Sequence, residues 1–217
     1  MSQIRTFLAG AATMAAALAA IVTLTGAKSP ERHETFDEIT VGRINIVEPD
    51  GTRRLIISSK ARFPGYYSQG KEIARPDRRE FAGMLFINEE GTENGGLIQK
   101  GSIGADGKIS SGLSLTFDRF RQDQALQLLN TDSATHQQTG ISINDIPYFK
   151  LTSSEDLTMR NRIWLGNTGD KGSSLQLKDA RGRTRMMLLV AADGKAEIRM
   201  LDESGKISKS ITPDSKD

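Results

Sequence analysis

The sequence predicts an all-β fold of antiparallel hairpins, arranged as a meander in a sandwich or partly open barrel and preceded by one amino-terminal hydrophobic helix. The first observation behind this prediction is a recurring turn. A polar residue stands three positions before a glycine at Gly51, Gly91, Gly182 and Gly205, each time after an apolar, strand-like run. The second is the balance of 21 glycines against 6 prolines, which is typical of a turn-rich β chain.

The clearest hairpin covers residues 44–57, with the sequence INIVEPDGTRRLII. Pro49 presets φ for the first turn position, and Asp50 suits the second. Gly51 can take the left-handed conformation that a type I turn with a G1 bulge requires. The stretch therefore predicts a strand, a tight turn and a returning strand.

An uncharged stretch of 22 residues, 6–27, follows a short tail over residues 1–5. As a helix it would be about 33 Å long, which is enough to cross a bilayer. Nine of its residues are alanine, so insertion is only marginally favourable, and a cleaved signal peptide ending near Ala27 and a buried helix are alternatives to a retained transmembrane anchor. We expect a membrane-anchored protein with an extracytoplasmic carboxyl-terminal domain, or an exported protein after cleavage.

The remaining chain is long enough for one β domain over residues 39–212, joined to the anchor by a charged stalk over residues 28–38 and followed by a frayed tail over 213–217. The formal net charge of +2 provides no field for nucleic acid, so no nucleic-acid partner is expected. The absence of cysteine excludes a thiolate nucleophile and cysteine-ligated zinc or iron–sulfur clusters. We expect no cofactor.

Two features interrupt the first half of this domain. Residues 60–79 lose periodicity and contain Phe63, Tyr66 and Tyr67, which predicts a long functional or mobile loop. Gly95 and Gly96 stand where a strand should begin, which predicts a bulge or a close approach of two backbones.

The middle of the chain is less clear. Residues 118–129 fit either a strand, which the neighbouring pattern favours, or a short helix capped by Asp118. Residues 131–139 are polar and predict a loop, and Phe149 and Leu151 predict a short strand.

The last third predicts a four-stranded meander, which begins near Leu175 and has three tight turns. Residues 186–190 are apolar without alternation. Such a run predicts a strand that is covered on both faces.

Several segments together resemble a family of uncharacterised bacterial proteins that have an amino-terminal hydrophobic segment and one β-rich exported domain. These segments are RINIVEPDG, KARFPG, GMLFINEEGTENGG, FDRFRQDQ and DARGRTRMMLLVAADG. The resemblance covers nearly all of residues 38–212. It supports the β architecture and implies no catalytic or binding residue.

The sequence offers few groups for metal or histidine chemistry. Of the two histidines, His33 lies in the stalk and His136 in a polar loop, so a serine–histidine–aspartate triad would have to depend on His136. Oxygen ligands for calcium are clustered around one glycine turn, but they lack the spacing of an EF-hand, and a hydrated turn capped by Asn88 is favoured. This cluster comprises Asn88, Glu89, Glu90, Glu93 and Asn94.

Carboxylate chemistry is a further hypothesis. Asp118, with Asp123 or Glu93 as its partner, could form the pair of carboxyl groups that glycoside hydrolysis needs. The interpretation we favour is an ion-pair cluster at a strand edge, in which Arg119 and Arg121 take part.

The basic residues also give little indication of a specific binding site. Arg181, Arg183 and Arg185 share one side of a hairpin and could meet phosphate or an acidic glycan, although a solvated strand face that prevents aggregation is favoured. Gly95 and Gly96 lack both the spacing of a phosphate-binding loop and a following helix.

We assign no catalytic, metal-binding or cofactor-binding residue. The function predicted is a non-enzymatic binding or assembly module of the cell envelope, tethered by residues 6–27, with an unknown protein or glycan partner. The residues expected to contact this partner are Phe63, Tyr66, Tyr67, Glu93 and Asn94. The alternatives are a carboxylate-dependent, glycan-directed hydrolase and a structural β oligomer formed through residues 186–190 or the terminal meander.

Overall fold

The structure, a computed structural model, describes Met14 and residues 33–146, 158–169 and 171–214. The chain divides into two units, residues 1–40 and 41–217, and the described strands all belong to the second. The strands are β1 Arg43–Val47, β2 Arg53–Ser58, β3 Tyr66–Ser68, β4 Lys71–Ile73, β5 Ala82–Ile87, β6 Glu93–Ile103, β7 Ile109–Asp118, β8 Gln124–Ser133, β9 Gln137–Asp145, β10 Arg160–Thr168, β11 Gly172–Lys178, β12 Thr184–Val190, β13 Ala196–Leu201 and β14 Ile207–Ile211. Two 3₁₀ helices cover Lys60–Arg62 and Pro76–Glu80.

Twelve strands form one antiparallel sheet in the order β1-β2-β5-β6-β7-β8-β9-β10-β11-β12-β13-β14. Each strand pairs with the next strand of the sheet along the chain, and β3 and β4 form a separate two-stranded sheet. The prediction of an all-β antiparallel meander is confirmed. The large sheet is open and forms a single layer, so the described part of one chain does not provide the second layer of a sandwich.

Several sequence predictions fall wholly or partly on residues that the structure does not describe, among them the tail over residues 1–5, the stalk over residues 28–38 and the tail over residues 213–217. The predicted anchor over residues 6–27, apart from Met14, and the predicted short strand at Phe149 and Leu151 lie outside the described residues. Within the described part of the chain, no helix has the length and apolar character needed to span a bilayer.

The turn between β1 and β2 has the predicted geometry. Gly51 has a φ of 89°, and its N–H donates to the carbonyl of Glu48 at 2.9 Å. The N–H of Glu48 donates to the carbonyl of Thr52 at 2.8 Å, and the register shifts between Ile46 and Val47. These contacts define a type I turn with a G1 bulge. Positive φ recurs at the other predicted turn glycines, Gly91, Gly182 and Gly205.

The middle of the chain is more regular than the sequence suggests. The helix alternative for residues 118–129 is wrong, because β7 ends at Asp118 and β8 begins at Gln124. The predicted polar loop over residues 131–139 is largely strand, since β8 continues to Ser133 and β9 begins at Gln137. Main-chain pairing does not require apolar side chains, so a long ladder can continue through polar residues.

The predicted long loop over residues 60–79 folds back onto the sheet. Its two 3₁₀ helices and the β3–β4 pair place Tyr67, which is 2% exposed, against Ile56, Leu85 and Ile87. Phe63 and Ile98 pack against the same cluster. This small core covers one face of the sheet at its amino-terminal end.

The prediction that residues 186–190 are covered on both faces is wrong. Met186 is 36% exposed and Val190 is 50% exposed, and Leu188 between them is also exposed. Met187 and Leu189 point to the other face and are half-buried. The run lacks alternation because both faces of β12 are apolar, although neither is covered by the described residues.

The close backbone approach predicted at Gly95 is confirmed. Gly95 has a φ of 131°, and a Cβ atom there would lie 2.3 Å from the carbonyl oxygen of Thr116. Gly96 is similarly close to the carbonyl of Met84, at 2.5 Å. Strands β5, β6 and β7 therefore pack backbone to backbone at this point.

We expect Gly95→Ala to lower the free energy of unfolding by about 3 kcal/mol or more, because it combines a forbidden φ with a clash against main-chain atoms. Gly51→Ala is the matched control, since Gly51 has a φ of 89° but nothing within 4 Å of the added Cβ. Its expected cost is about 1 kcal/mol. Urea unfolding of both variants measures the difference, and equal losses would contradict this account of the fold.

Candidate functional site

One face of the large sheet carries an unbroken row of apolar side chains. Residues that lie directly opposite each other in neighbouring antiparallel strands point to the same face. The pairing register therefore defines a first row that crosses all twelve strands with one apolar residue from each. This row comprises Ile44, Ile57, Met84, Leu97, Leu115, Leu128, Ile141, Leu165, Leu175, Leu188, Ile198 and Ile211.

A second row lies two residues further along each strand, on the same face. Its members are apolar except for a glycine on β6 and a lysine on β14. They are Ile46, Leu55, Phe86, Gly95, Phe117, Leu126, Ile143, Ile163, Leu177, Met186, Met200 and Lys209. We call the two rows together the apolar face.

The apolar face is uncovered by the described residues. Leu165, near its middle, is 48% exposed, and Ile44 and Ile211, at its two ends, are also exposed. No side chain of either row belongs to the buried core. The carboxyl-terminal strands form a groove of about 730 Å³ on this face, lined by Leu165, Leu175, Leu188, Ile198 and Ile211 among others.

The opposite face is mostly polar over β7–β14, although Leu129, Met187 and Leu189 also point to it. The Gln127 side chain donates to the Ser114 hydroxyl at 2.8 Å, and the Arg199 guanidinium donates to Glu197 at 2.7 Å. Trp164 also lies on this face, and its indole lies over Gly140 on β9 and over Gly166 on its own strand, β10. The sheet therefore has one apolar and one largely polar face.

A cleft of about 840 Å³ opens beside the small core, on the polar face. It lies between the folded-back segment of residues 66–81 and the turn after β7. Both apolar and charged side chains contribute to its wall. They include Tyr66, Arg75, Asp77, Arg78, Phe81, Glu93, Asp118, Asp123 and Gln124.

Ion pairs join the cleft's walls to the sheet. Arg78 forms a bidentate pair with Glu93, at 2.7 and 2.8 Å, and each side chain is 14% exposed. Arg121 pairs with Glu90 at 2.6 Å. Arg75 donates to Asp77 and lowers the pKa of that carboxyl to about 2. The Arg78 and Arg121 pairs join separate segments around the cleft, whereas the Arg75–Asp77 pair is local and exposed.

Asp118 differs from the other carboxyl groups of the cleft. Burial, reinforced by the nearby negative charges of Glu93 and Asp123, raises the pKa of Asp118 to about 7. Its Oδ1 atom is buried, and no described residue hydrogen-bonds to it. The protonation of the Asp118 carboxyl therefore changes near neutral pH.

The predicted contact residues do not form one surface. Tyr66 and Glu93 line the cleft, although Glu93 is held by Arg78. Asn94 is exposed on β6, and Phe63 packs against the core.

Tyr67, the remaining predicted contact residue, is almost fully buried beside the cleft. Its ring is buried, and its hydroxyl donates to Glu72 at 2.7 Å and accepts from Arg43 at 3.0 Å. Tyr67 therefore attaches the folded-back segment to the sheet.

Oxygen ligands around the Gly91 turn are used within the fold. Asn88 accepts from the N–H groups of Glu90 and Thr92, and the Glu89 carboxylate pairs with Arg54 at 2.7 Å. Across the part of the chain that the structure describes, no group of three or more His, Cys, Asp and Glu side chains is placed to hold a metal ion. The turn is capped by Asn88, as the favoured interpretation predicts.

The structure also rearranges the predicted charge clusters. Arg121 reaches Glu90 on another turn, so the expected ion-pair cluster within residues 118–123 is wrong. On the arginine-rich hairpin, Arg183 pairs with Asp179 at 2.7 Å, and Arg185 donates to the carbonyl of Leu201. Arg183 therefore stabilises its own turn, and Arg185 joins β12 to the end of β13.

No family model matches the chain, and no curated protein matches it significantly. The apolar face is a surface feature that the sequence analysis does not predict. Each strand taken alone shows two or three alternating apolar residues, which is also the pattern of an ordinary half-buried strand. Only the register reveals that they form continuous rows.

Asp118→Asn should reduce the pH dependence of stability. The folded pKa of about 7 lies above the ordinary value of 3.8, so the protonated carboxyl contributes stability that is complete below the ordinary pKa and is lost as pH rises through 7. After allowance for solvent screening, we expect the wild type to lose about 2 kcal/mol of unfolding free energy through this group between about pH 5 and about pH 8.

Urea unfolding at both pH values measures this effect. The variant should show the smaller loss. Its unfolding free energy relative to that of the wild type should therefore rise from the lower to the higher pH. Identical pH dependence in the two proteins would show that Asp118 has an ordinary pKa.

Proposed function

We propose that residues 41–214 form a non-enzymatic assembly module of the cell envelope, which acts by docking its apolar face against another apolar surface. The observation that supports this proposal is the first row, in which every one of the twelve strands contributes an apolar residue. A row of this length is not expected on the free surface of a soluble protein. It is the expected property of a surface that another layer covers.

The size of the apolar face supports the same proposal. Twelve strands spaced about 4.8 Å apart extend about 50 Å, and two rows of side chains are about 14 Å wide, which gives about 700 Å². Large apolar patches on monomeric proteins measure about 300–600 Å² and are often functional. The apolar face exceeds this range, and its long, narrow shape follows the sheet.

A second layer would also complete the predicted architecture. Two sheets that pack face to face lie about 10 Å apart and bury the side chains between them. The β-sandwich that the sequence predicts would then arise when the open sheet is covered. The fold of one chain supplies one of the two layers.

The location in the envelope is proposed from the sequence. An uncharged segment over residues 6–27, preceded by Arg5, would hold the β domain at a membrane on its extracytoplasmic side. Cleavage near Ala27 would release the same domain outside the cytoplasm. In both cases the module would act outside the cytoplasm.

A second candidate function is supported by the cleft. Asp118, with its raised pKa and its neighbours Glu93 and Asp123, would suit a carboxyl-dependent hydrolase that acts on glycans. If so, the full chain should release reducing sugar from envelope glycans, and Asp118→Asn should abolish that release. Equal release by wild type and variant would dismiss this function.

The assembly function predicts that the apolar face is protected from solvent in the cell. The chain has no cysteine, so single cysteines report one position each. Leu177 lies on the apolar face and Ile73 lies on β4, away from it, and both are 40% exposed in the isolated chain. We expect Leu177→Cys to react with a maleimide several times more slowly than Ile73→Cys in detergent-free cell extracts.

Denaturation should abolish this difference, which would show that it comes from the assembled state. If the two cysteines react equally fast before denaturation, the apolar face is open to solvent. The proposed function would then be wrong.

A further inference from the structure

The geometry points to a second copy of this chain as the layer that covers the apolar face. This inference depends on the proposed function, because it names the partner of the same surface. Two copies would pack face to face as the two layers of an intermolecular β-sandwich. Three observations favour this occupant over others.

The first observation is the extent of the face. A helix formed by residues 6–27 would be about 33 Å long and about 10 Å across, so it could shield only a part of a strip about 50 Å long. The described strands of the chain already belong to the two sheets and leave the strip uncovered. Another sheet of twelve strands has the matching length.

The second observation is the lack of charge. Lys209, at the β14 edge, is the only charged residue in the two rows. A charged partner would find no complementary group along the centre of the face, where Leu128 and Ile141 lie opposite each other. An apolar face that lacks charge is complementary to itself, which is the requirement for a two-fold symmetric interface.

The third observation is the area. The strip of about 700 Å² per copy gives about 1,400 Å² in total, which is within the usual range for a stable protein–protein interface. A bilayer surface would instead favour basic residues around the apolar strip. The turns at the strand ends carry charges of both signs rather than an excess of basic residues, as in the pairs of Asp106 with Lys108 and of Asp179 with Arg183. Lipid is therefore the less favourable occupant.

The inference predicts which residues meet across the interface. Leu128 and Ile141 lie at the centre of the twelve strands, so they lie near the two-fold axis when two sheets overlap fully. The neighbouring residue Gln127 points to the polar face and would remain outside the interface. This pair of adjacent positions provides a matched comparison.

Site-specific photocrosslinking tests the inference on the full chain in intact cells. A benzophenone amino acid replaces Leu128 in one copy, and a second, differently tagged copy is co-expressed. After irradiation we expect an adduct that contains both tags and has twice the mass of one chain as it is isolated from the cells. Mass spectrometry should locate its attachment on the apolar face of the other copy, and the same probe at Gln127 should give no such adduct.

The outcomes separate the two proposals. Because the copies could overlap only partly, the probe is also placed at Leu97, Leu165 and Leu188. An adduct with lipid or with a different protein at these positions overturns the self-association and leaves the assembly function intact. If none of the four positions gives any adduct and Leu177→Cys reacts as fast as Ile73→Cys, both proposals are wrong.

Discussion

The fold depends on one constraint: the register of neighbouring strands must stay in phase across twelve strands. A shift of one residue in any pair would turn the apolar side chains of the following strands to the polar face. Several hairpins absorb the extra residue of their turn in a bulge at the last residue before the turn, as between Ile46 and Val47 and between Leu177 and Lys178. The body of each strand therefore remains aligned, and the apolar rows continue from hairpin to hairpin.

The sequence predicts those features that local chemistry decides. The turn at Gly51 is determined by a few neighbouring residues, and the close approach at Gly95 is visible in the two adjacent glycines. Burial depends instead on which element lies above a face, and no local pattern encodes this. For that reason Tyr67 was expected at a contact surface although it forms the core, and residues 186–190 were expected to be covered although they are exposed.

Among the described residues, the polar face is covered only where the chain folds back on itself. Tyr67 and the Arg78–Glu93 pair hold the segment of residues 60–80 against β5 and β6, and Asp118, whose pKa is raised by burial and by the charges of Glu93 and Asp123, lines the cleft beside this segment. The perturbed carboxyl thus lies beside the same packing that forms the small core. Structural ion-pair networks and active sites both produce pKa shifts of this kind. The apolar face, which is much larger than the cleft, is therefore the stronger indication of function.

A single-layer sheet cannot bury its apolar residues by itself, which explains how a chain with ordinary globular composition has so small a core. In the large sheet, the folded-back segment buries the side chains of Ile56, Leu85 and Ile87. The described residues bury little of the apolar face. Burial contributes about 25 cal/mol for each Å² of apolar surface removed from water, so about 700 Å² corresponds to more than 10 kcal/mol for each copy before the costs of association. That amount is comparable to the whole stability of a typical domain. Folding and assembly are therefore expected to be coupled, with the second layer of the sandwich supplied by another molecule.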